Sequence, residues 1–115
     1  MARVLVLDDD PLALELYSRE LRQGYEVLTS SSVSAARQLL RDLVFEVLVI
    51  EPLADGGEGR ILLEEIRRTS PRPAVVLCTT EDDRGAKWAQ GACAYLVKPV
   101  LPITLRATVD QIVAR

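Results

Sequence analysis

Charged and polar side chains follow four short apolar runs in this chain of 115 residues. Three acids at 8–10 follow the run "RVLVL", and Glu51 follows "VLVI". The segment "CTT" at 78–80 follows "AVVL", and Lys98 follows "AYLV". Clustered carboxylate oxygens suit a hard cation such as Mg²⁺, a lysine supplies a point charge for a phosphoryl oxygen, and a nearby hydroxyl completes a phosphoryl cradle. The pattern predicts a site for Mg²⁺ and a phosphoryl group, provided that the four runs end at one place.

Each of these features has a simpler explanation when it is taken alone. The stretch "DDDP" is typical of a helix start, with Asp10 as the N-cap, Pro11 at the first helical position and acids that the helix dipole favours. The dipeptide "KP" indicates only that a turn begins. The occurrence of such residues at four successive run ends is what favours a site.

The apolar runs alternate with helical patterns along the whole chain. Predicted strands cover residues 3–7, 25–30, 46–50, 74–78 and 94–97, and predicted helices cover 11–23, 31–44, 59–69, 81–90 and 101–114. Five strands interleaved with five helices predict one α/β domain over residues 1–115, a doubly wound parallel sheet with helices on both faces. Functional residues of such sheets collect at the carboxyl ends of the strands. This topology would bring the four run ends together.

Composition narrows the classes of function. Histidine is absent, which excludes histidine acid–base chemistry, histidine metal sites and a phosphohistidine. The net charge of −3 argues against direct binding of nucleic acid, and the first strand is not followed by a GxGxxG or P-loop motif. A non-enzymatic protein is therefore expected. Without a signal peptide or an apolar run of membrane-spanning length, and with Cys78 and Cys93 as free thiols, a cytoplasmic location is expected.

Four stretches resemble the receiver domain of two-component response regulators, and the resemblance covers essentially the whole chain. They are "VLVLDDDP", "VLVIEPLADGGEG", "PAVVLCTT" and "GACAYLVKP". The resemblance implies a flavodoxin-like fold with strand order 2-1-3-4-5 and a function in phosphorelay signal transduction. It also implies a sensor histidine kinase or other signalling protein as the partner. Receiver domains often associate through the fourth helix, fifth strand and fifth helix, so a homodimer through the face that includes Trp88 is a further expectation. Packing of Trp88 against its own sheet is the alternative.

The resemblance also assigns roles to metal and acceptor positions. Asp8 and Asp9 match the acidic pair that holds Mg²⁺ in the family, and the backbone carbonyl of Leu53 matches a further ligand of the metal. Glu51 stands where the family has its phospho-accepting aspartate. Mg²⁺ is therefore the expected cofactor, if the pocket still works.

Phosphoryl-binding and switch positions follow in the second half of the chain. Cys78, with Thr79 beside it, stands where the family has a threonine or serine, and Tyr95 stands at the aromatic switch position. Lys98 matches the family's lysine, and a cis bond is expected between Lys98 and Pro99. Strand alternation places Thr80, not Thr79, on the same face as Cys78.

Two departures from the family bear on phosphorylation. Glu51 carries its oxygens about 1.5 Å, one C–C bond, further out than an aspartate, and in-line phosphoryl transfer depends on position. Cys78 replaces a hydroxyl by a weak donor. These changes favour a degenerate pseudo-receiver that acts through protein contacts, with Glu51 paired to Lys98. The alternative is a functional response regulator that uses Mg²⁺ and accepts phosphate on Glu51 or a neighbouring aspartate, for example Asp55.

Overall fold

Five parallel strands form a single sheet in a computed structural model, which describes residues 1–81 and 85–114. The strands are β1 Arg3–Leu7, β2 Glu26–Ser30, β3 Val47–Ile50, β4 Ala74–Thr79 and β5 Ala94–Val97. Their order is β2-β1-β3-β4-β5, which confirms the order that the resemblance implied. All four residues of β3 are buried, because helices cover both faces of a parallel sheet.

The described part of the chain contains four α-helices, of which the first three connect successive strands and the fourth follows β5. They are α1 Pro11–Leu21, α2 Val33–Asp42, α3 Glu58–Arg67 and α4 Pro102–Val113. Helix α1 begins as predicted, with Pro11 in its first turn and the Asp10 side chain accepting a hydrogen bond from the Leu12 N–H. Among the described residues, no helix is long and apolar enough to cross a membrane.

The prediction of a fifth α-helix over residues 81–90 is wrong for the part of that segment that the structure describes. Residues 82–84 lie outside the described residues, and the rest contains one 3-10 turn, Lys87–Ala89. Ala86 before the turn and Gln90 after it are both extended, with ψ of 145° and 137°. Ala89 is buried and Trp88 packs on the core beneath the turn. A single 3-10 turn is enough to place these two side chains against the core, so the chain does not continue into an α-helix here.

The sheet separates two apolar cores. Alternate residues of each strand face either α2 and α3 or α1 and α4, so that Leu5 and Leu7 lie in the first core and Val4 and Val6 in the second. Cys78 belongs to the core under α1 and α4. These two cores hold the strands in register, and the residues that follow the strands therefore meet along the carboxyl edge of the sheet.

Candidate functional site

A lysine and two carboxyl groups form the centre of the carboxyl edge. Asp8 follows β1 and is 2% exposed, and Glu51 follows β3 and is 5% exposed. Lys98, which follows β5, places its Nζ 2.6 Å from Asp8 Oδ2 and 3.7 Å from Glu51 Oε1. We call these three residues the buried charge cluster. The peptide bond between Lys98 and Pro99 is cis.

Lys98 is held in its charged form by this arrangement. Burial lowers the pKa of Lys98, but the hydrogen bond to Asp8 and the charges of Asp8 and Glu51 outweigh burial, so the pKa lies above its usual value. At neutral pH a charged ammonium therefore lies between the two carboxyl groups. The Lys98 ammonium, which would contact an oxygen of a bound phosphoryl group, is therefore already paired with carboxyl groups of the chain itself.

The remaining oxygens of the two carboxyl groups accept hydrogen bonds from backbone amides. Asp8 Oδ1 accepts from the Asp10 N–H at 2.9 Å, and Glu51 Oε2 accepts from the Leu53 N–H at 3.3 Å. Asp8 thus accepts a hydrogen bond on each carboxyl oxygen, whereas Glu51 accepts one on Oε2 and has an ion pair with Lys98 at Oε1. The carboxylate of Glu51 lies between Lys98 and the loop that follows β3.

Asp9 and Asp55 connect the loops at the rim of the site. Asp9 Oδ2 accepts a hydrogen bond from the Asp55 N–H at 3.1 Å, and Asp55 Oδ2 accepts one from the Val33 N–H at 3.1 Å, at the start of α2. Asp55 has a left-handed backbone with φ of 58°, which aspartate tolerates better than most residues. In this structure Asp55 ties the β3–α3 loop to its neighbours.

Gly59 allows α3 to approach the loop that carries Glu51. A Cβ atom at Gly59 would lie 2.8 Å from the carbonyl oxygens of both Glu51 and Pro52. No other residue fits that approach without displacing the backbone. Sequence reasoning did not single out Gly59, although the glycine-rich stretch after β3 was the available signal.

The end of β4 separates its hydroxyl groups from its thiol. Cys78 is 1% exposed, and burial raises the pKa of its thiol to about 12, with Lys98 opposing and the carboxyl groups of Asp8 and Glu51 adding to the shift. Thr79 Oγ1 accepts a hydrogen bond from the Glu81 N–H at 3.2 Å. The thiol next to the buried charge cluster therefore stays protonated and is a weak donor.

The two threonines at this strand end lie in different surroundings. Thr79 is fully buried, and its carbonyl accepts the Lys98 N–H at 2.7 Å. Thr80 is exposed and lines a surface concavity of about 390 Å³ together with Asp10, Tyr17 and Lys98. Thr80 is thus the hydroxyl that lies on the Lys98 side of the strand end.

Tyr95 links β5 to the loop after β4. Its hydroxyl donates to the Glu81 carbonyl at 2.6 Å, and its ring centroid lies 6.5 Å from that of Trp88. The guanidinium of Arg60 lies 5.5 Å from the Trp88 ring centroid and 3.6 Å from the Glu81 carboxylate. Sequence reasoning missed Arg60 and Glu81, since nothing in their local pattern distinguishes them from other charged surface residues.

The predicted metal ligands have the right chemistry for Mg²⁺, and each of them already has a partner within the chain. Carboxylate and carbonyl oxygens suit Mg²⁺, yet no group of three acidic or other metal-binding side chains is placed to hold an ion among residues 1–81 and 85–114. Asp8 is bonded to Lys98, Asp9 to a loop amide, and the Leu53 carbonyl accepts the Gly57 N–H at 3.1 Å. An ion held by these residues would have to replace the Lys98 contact of Asp8 and the loop-amide contact of Asp9.

The fold agrees with comparisons to known proteins. The model of the response regulator receiver domain family matches residues 4–110, and the chain belongs to that family. Protein PilH of Pseudomonas aeruginosa is 31% identical over 121 residues, which cover 99% of each chain. The transcriptional regulatory protein AfsQ1 of Streptomyces coelicolor is 31% identical over 114 residues, 97% of this chain and 51% of AfsQ1. The chain therefore spans about half of AfsQ1 and nearly all of PilH.

Solved receiver domains share the fold closely. The response regulator TrrA of Thermotoga maritima, solved in complex with Mg²⁺-BeF, has 25% identity and a TM-score of 0.87 over 97% of this chain and 99% of TrrA. A receiver domain protein of Clostridium thermocellum has 30% identity and a TM-score of 0.84 over 100% of this chain and 96% of that one. The family that the four stretches resemble is thereby confirmed.

Proposed function

We propose that this receiver domain is degenerate and signals through protein contacts, without an ordinary cycle of aspartate phosphorylation. In the proposal it is a non-enzymatic, cytoplasmic component of two-component signalling, and Glu51 is a pairing partner of Lys98 in place of a phospho-acceptor. The observation that carries the proposal is the set of contacts within the buried charge cluster. Lys98 lies 2.6 Å from Asp8 and 3.7 Å from Glu51, and the other oxygen of each carboxyl group accepts a backbone N–H.

Phosphorylation of Glu51 would have to undo these contacts. The attacking oxygen would need to leave either Lys98 or the Leu53 amide, and a misplacement of about 1 Å costs on the order of a hundredfold in such reactions. A glutamyl phosphate would also carry its phosphoryl group about 1.5 Å further out than an aspartyl phosphate. The buried Cys78 thiol is a poor donor to a phosphoryl oxygen. All of these effects slow transfer.

Weak binding of Mg²⁺ is part of the same proposal. An ion at this edge would have to compete with Lys98 for Asp8 and with the Asp55 amide for Asp9. Both interactions are made by the chain itself, so their loss offsets the gain from the ion. Asp8, Asp9 and Leu53 would therefore bind Mg²⁺ only after the loops rearrange.

The second candidate function is a working phospho-acceptor. Its support is that Asp8, Asp9 and Lys98 are all present at the carboxyl edge, and that the similar protein TrrA was solved with Mg²⁺-BeF. Glu51 or Asp55 would then take the phosphoryl group. Against Asp55 stands its exposed position and its hydrogen bond to the Val33 N–H.

Acetyl phosphate with Mg²⁺, read out by intact-protein mass, separates the two candidates. We expect no added phosphoryl mass on the wild type and clear labelling of Glu51→Asp, because the shorter side chain leaves room at the end of β3. Glu51→Gln, which has the same length but no carboxylate, is the matched control and stays unlabelled. Labelling of the wild type that Asp55→Asn or Glu51→Gln abolishes would establish the second candidate instead.

The proposed partner is a sensor histidine kinase or another signalling protein, since response regulator receiver domains interact with histidine kinases. A homodimer through the face of Trp88, Tyr95 and α4 has less support. Trp88 is half-buried and packs on its own core, with Arg60 over its ring. Replacement of Trp88 by Ala should lower stability and leave the sedimenting mass unchanged. A drop from dimer to monomer mass would favour the dimer.

A further inference from the structure

A concavity at the amino edge of the sheet is lined by basic side chains. It lies where α3 ends, where β4 begins and beside the 3-10 turn, and its volume is about 410 Å³. Its lining includes Arg67, Arg68, Arg72 and Lys87, and Glu64 is the only acid among the described lining residues. We call this region the cationic concavity. It brings together four of the 14 basic residues of a chain whose net charge is −3.

The cationic concavity is held in shape by its own hydrogen bonds. The Arg72 guanidinium donates to the Arg67 carbonyl at 2.8 Å. The Arg67 guanidinium donates to Glu64 at 3.0 Å and to the Lys87 carbonyl at 3.3 Å. The end of α3, the loop to β4 and the 3-10 turn are therefore connected. A ligand would meet a preformed surface and would not have to order it.

Two of the four cations have no partner within the described part of the chain. The side chains of Arg68 and Lys87 are exposed and make no hydrogen bond or ion pair there, whereas Arg67 is paired with Glu64. Like charges gathered on one surface repel each other and do not help the fold. They do attract an anionic ligand and speed its association.

The shape of the region selects the kind of anion. Pockets for small molecules enclose most of the ligand surface, but the cationic concavity is broad and open. Beside it lies a cleft against Trp88 and Pro73 with space of only about 20 Å³, enough for one water or a small apolar group. A chain laid across the surface fits better than an enclosed metabolite. We propose that the cationic concavity docks an acidic segment of a partner protein, with carboxylates on the arginines and a small apolar side chain in the cleft.

This docking surface is separate from the buried charge cluster. The six residues of β4 place roughly 20 Å between its two ends, and the two regions lie at opposite ends. The proposal goes beyond phosphorylation, since peptide binding should be the same whether or not Glu51 is replaced by Asp. It would give the domain a protein contact that does not depend on its phosphorylation state.

Fluorescence anisotropy with the full chain and a labelled oligoglutamate peptide tests the proposal. Because Arg68 and Lys87 are exposed, the double variant Arg68→Gln, Lys87→Gln should fold like the wild type and bind the peptide about tenfold more weakly. The double variant Arg19→Gln, Arg22→Gln at the end of α1 removes the same charge elsewhere and should weaken binding less than about twofold. An equal loss in both variants would overturn the proposal, because net charge alone would then explain binding.

Two further arms test the chemical class of the ligand. An oligoglutamine peptide of the same length should not bind, because the interaction requires carboxylates. A labelled single-stranded RNA should bind more weakly than oligoglutamate at the same salt concentration. Tighter binding of RNA would overturn the proposal in favour of a nucleic-acid surface, and failure of oligoglutamate to bind the wild type would overturn it outright. Neither outcome alters the expected result with acetyl phosphate.

Discussion

The buried charge cluster and the cationic concavity place similar chemical groups in opposite settings. In the buried charge cluster, Lys98 is 16% exposed and faces two carboxyl groups that are almost fully enclosed. Among the described lining residues of the cationic concavity, four cations face one acid, and Arg68 and Lys87 are exposed to solvent. In the buried charge cluster, the lysine and the carboxyl groups are paired with each other. In the cationic concavity, Arg68 and Lys87 remain available to bind another molecule.

The difference follows from the cost of burying a charge. A carboxylate removed from water must be paired and hydrogen-bonded, or the fold loses several kcal/mol. An exposed cation keeps its water, so an ion pair there contributes at most about 1 kcal/mol. Enclosed charged groups are therefore fixed by the fold, whereas exposed ones are available to a partner.

The two cysteines give the largest expected contrast between the two ends of the sheet. Cys78 lies beside the buried charge cluster and Cys93 is exposed near the amino edge. Burial raises the pKa of Cys78 to about 12, so its thiolate is scarce and shielded at neutral pH. Ellman's reagent should modify Cys93 at least about a thousandfold faster than Cys78. The folded Cys93→Ser variant, in which Cys78 is the remaining thiol, should scarcely react with the reagent. Rapid reaction of that variant would mean that the carboxyl edge is open to solvent.

Replacing Lys98 in the buried charge cluster and Lys87 in the cationic concavity should change the free energy of unfolding by very different amounts. Lys98→Met leaves Asp8 and Glu51 without their counter-charge and should lower the free energy of unfolding by roughly 3 kcal/mol. Lys87→Met, in the cationic concavity, should change it by less than about 0.5 kcal/mol. Urea denaturation followed by circular dichroism measures both. Similar small losses would show that the buried charge cluster is not a closed network.

Alkaline pH should weaken the buried charge cluster selectively. The pKa of Lys98 is raised in the folded protein by Asp8 and Glu51 in spite of burial. The stabilisation it brings is complete below the pKa of an unfolded lysine, about 10.4, and is lost as the pH rises through the folded value. The stability difference between wild type and Lys98→Met should thus shrink above about pH 10. A difference that stays constant to higher pH would contradict the pairing.

Removal of Glu64, the acid that pairs with Arg67 in the cationic concavity, should give the smallest effect. Glu64→Gln frees Arg67 from its ion pair and should strengthen oligoglutamate binding about twofold while changing stability by less than about 0.5 kcal/mol. Glu15→Gln, which frees Arg19 on α1, is the matched control and should leave peptide binding unchanged. Weaker binding by Glu64→Gln would mean that Arg67 needs Glu64 to hold its position.

Most of the fold follows from local patterns in the sequence. The apolar runs predict the strands because a parallel sheet buries both faces, and β5 spans 94–97 as expected. β4 continues to Thr79, whose carbonyl accepts the Lys98 N–H, and α3 begins at Glu58 because Gly57 before it is left-handed. The helix predicted over 81–90 does not form in the described residues 85–90, because burial of Trp88 and Ala89, not local propensity, decides the conformation there.

The site is less accessible to sequence reasoning than the fold. The topology predicts that Asp8, Glu51 and Lys98 meet, but not that Lys98 lies 2.6 Å from Asp8 and 3.7 Å from Glu51. Which of the two carboxyl groups lies closer to Lys98 depends on side-chain rotamers and on which carboxyl oxygens already accept a hydrogen bond from a loop amide. The cationic concavity is harder still, because Arg67 and Lys87 are brought together only by packing of the 3-10 turn against the end of α3.

Backbone amide NMR of the wild type, titrated with Mg²⁺ and then with beryllofluoride, tests most directly whether the buried charge cluster excludes a phosphoryl group. To bind Mg²⁺ and the phosphoryl mimic, Asp8, Asp9 and Glu51 would have to give up their contacts with Lys98 and the loop amides, which we expect to be unfavourable. We therefore predict no saturable shifts at Asp8, Asp9 and Leu53, and none at Tyr95. Saturable shifts at those amides that extend to Tyr95 would show a working phosphoryl pocket and contradict the proposal that the domain is degenerate.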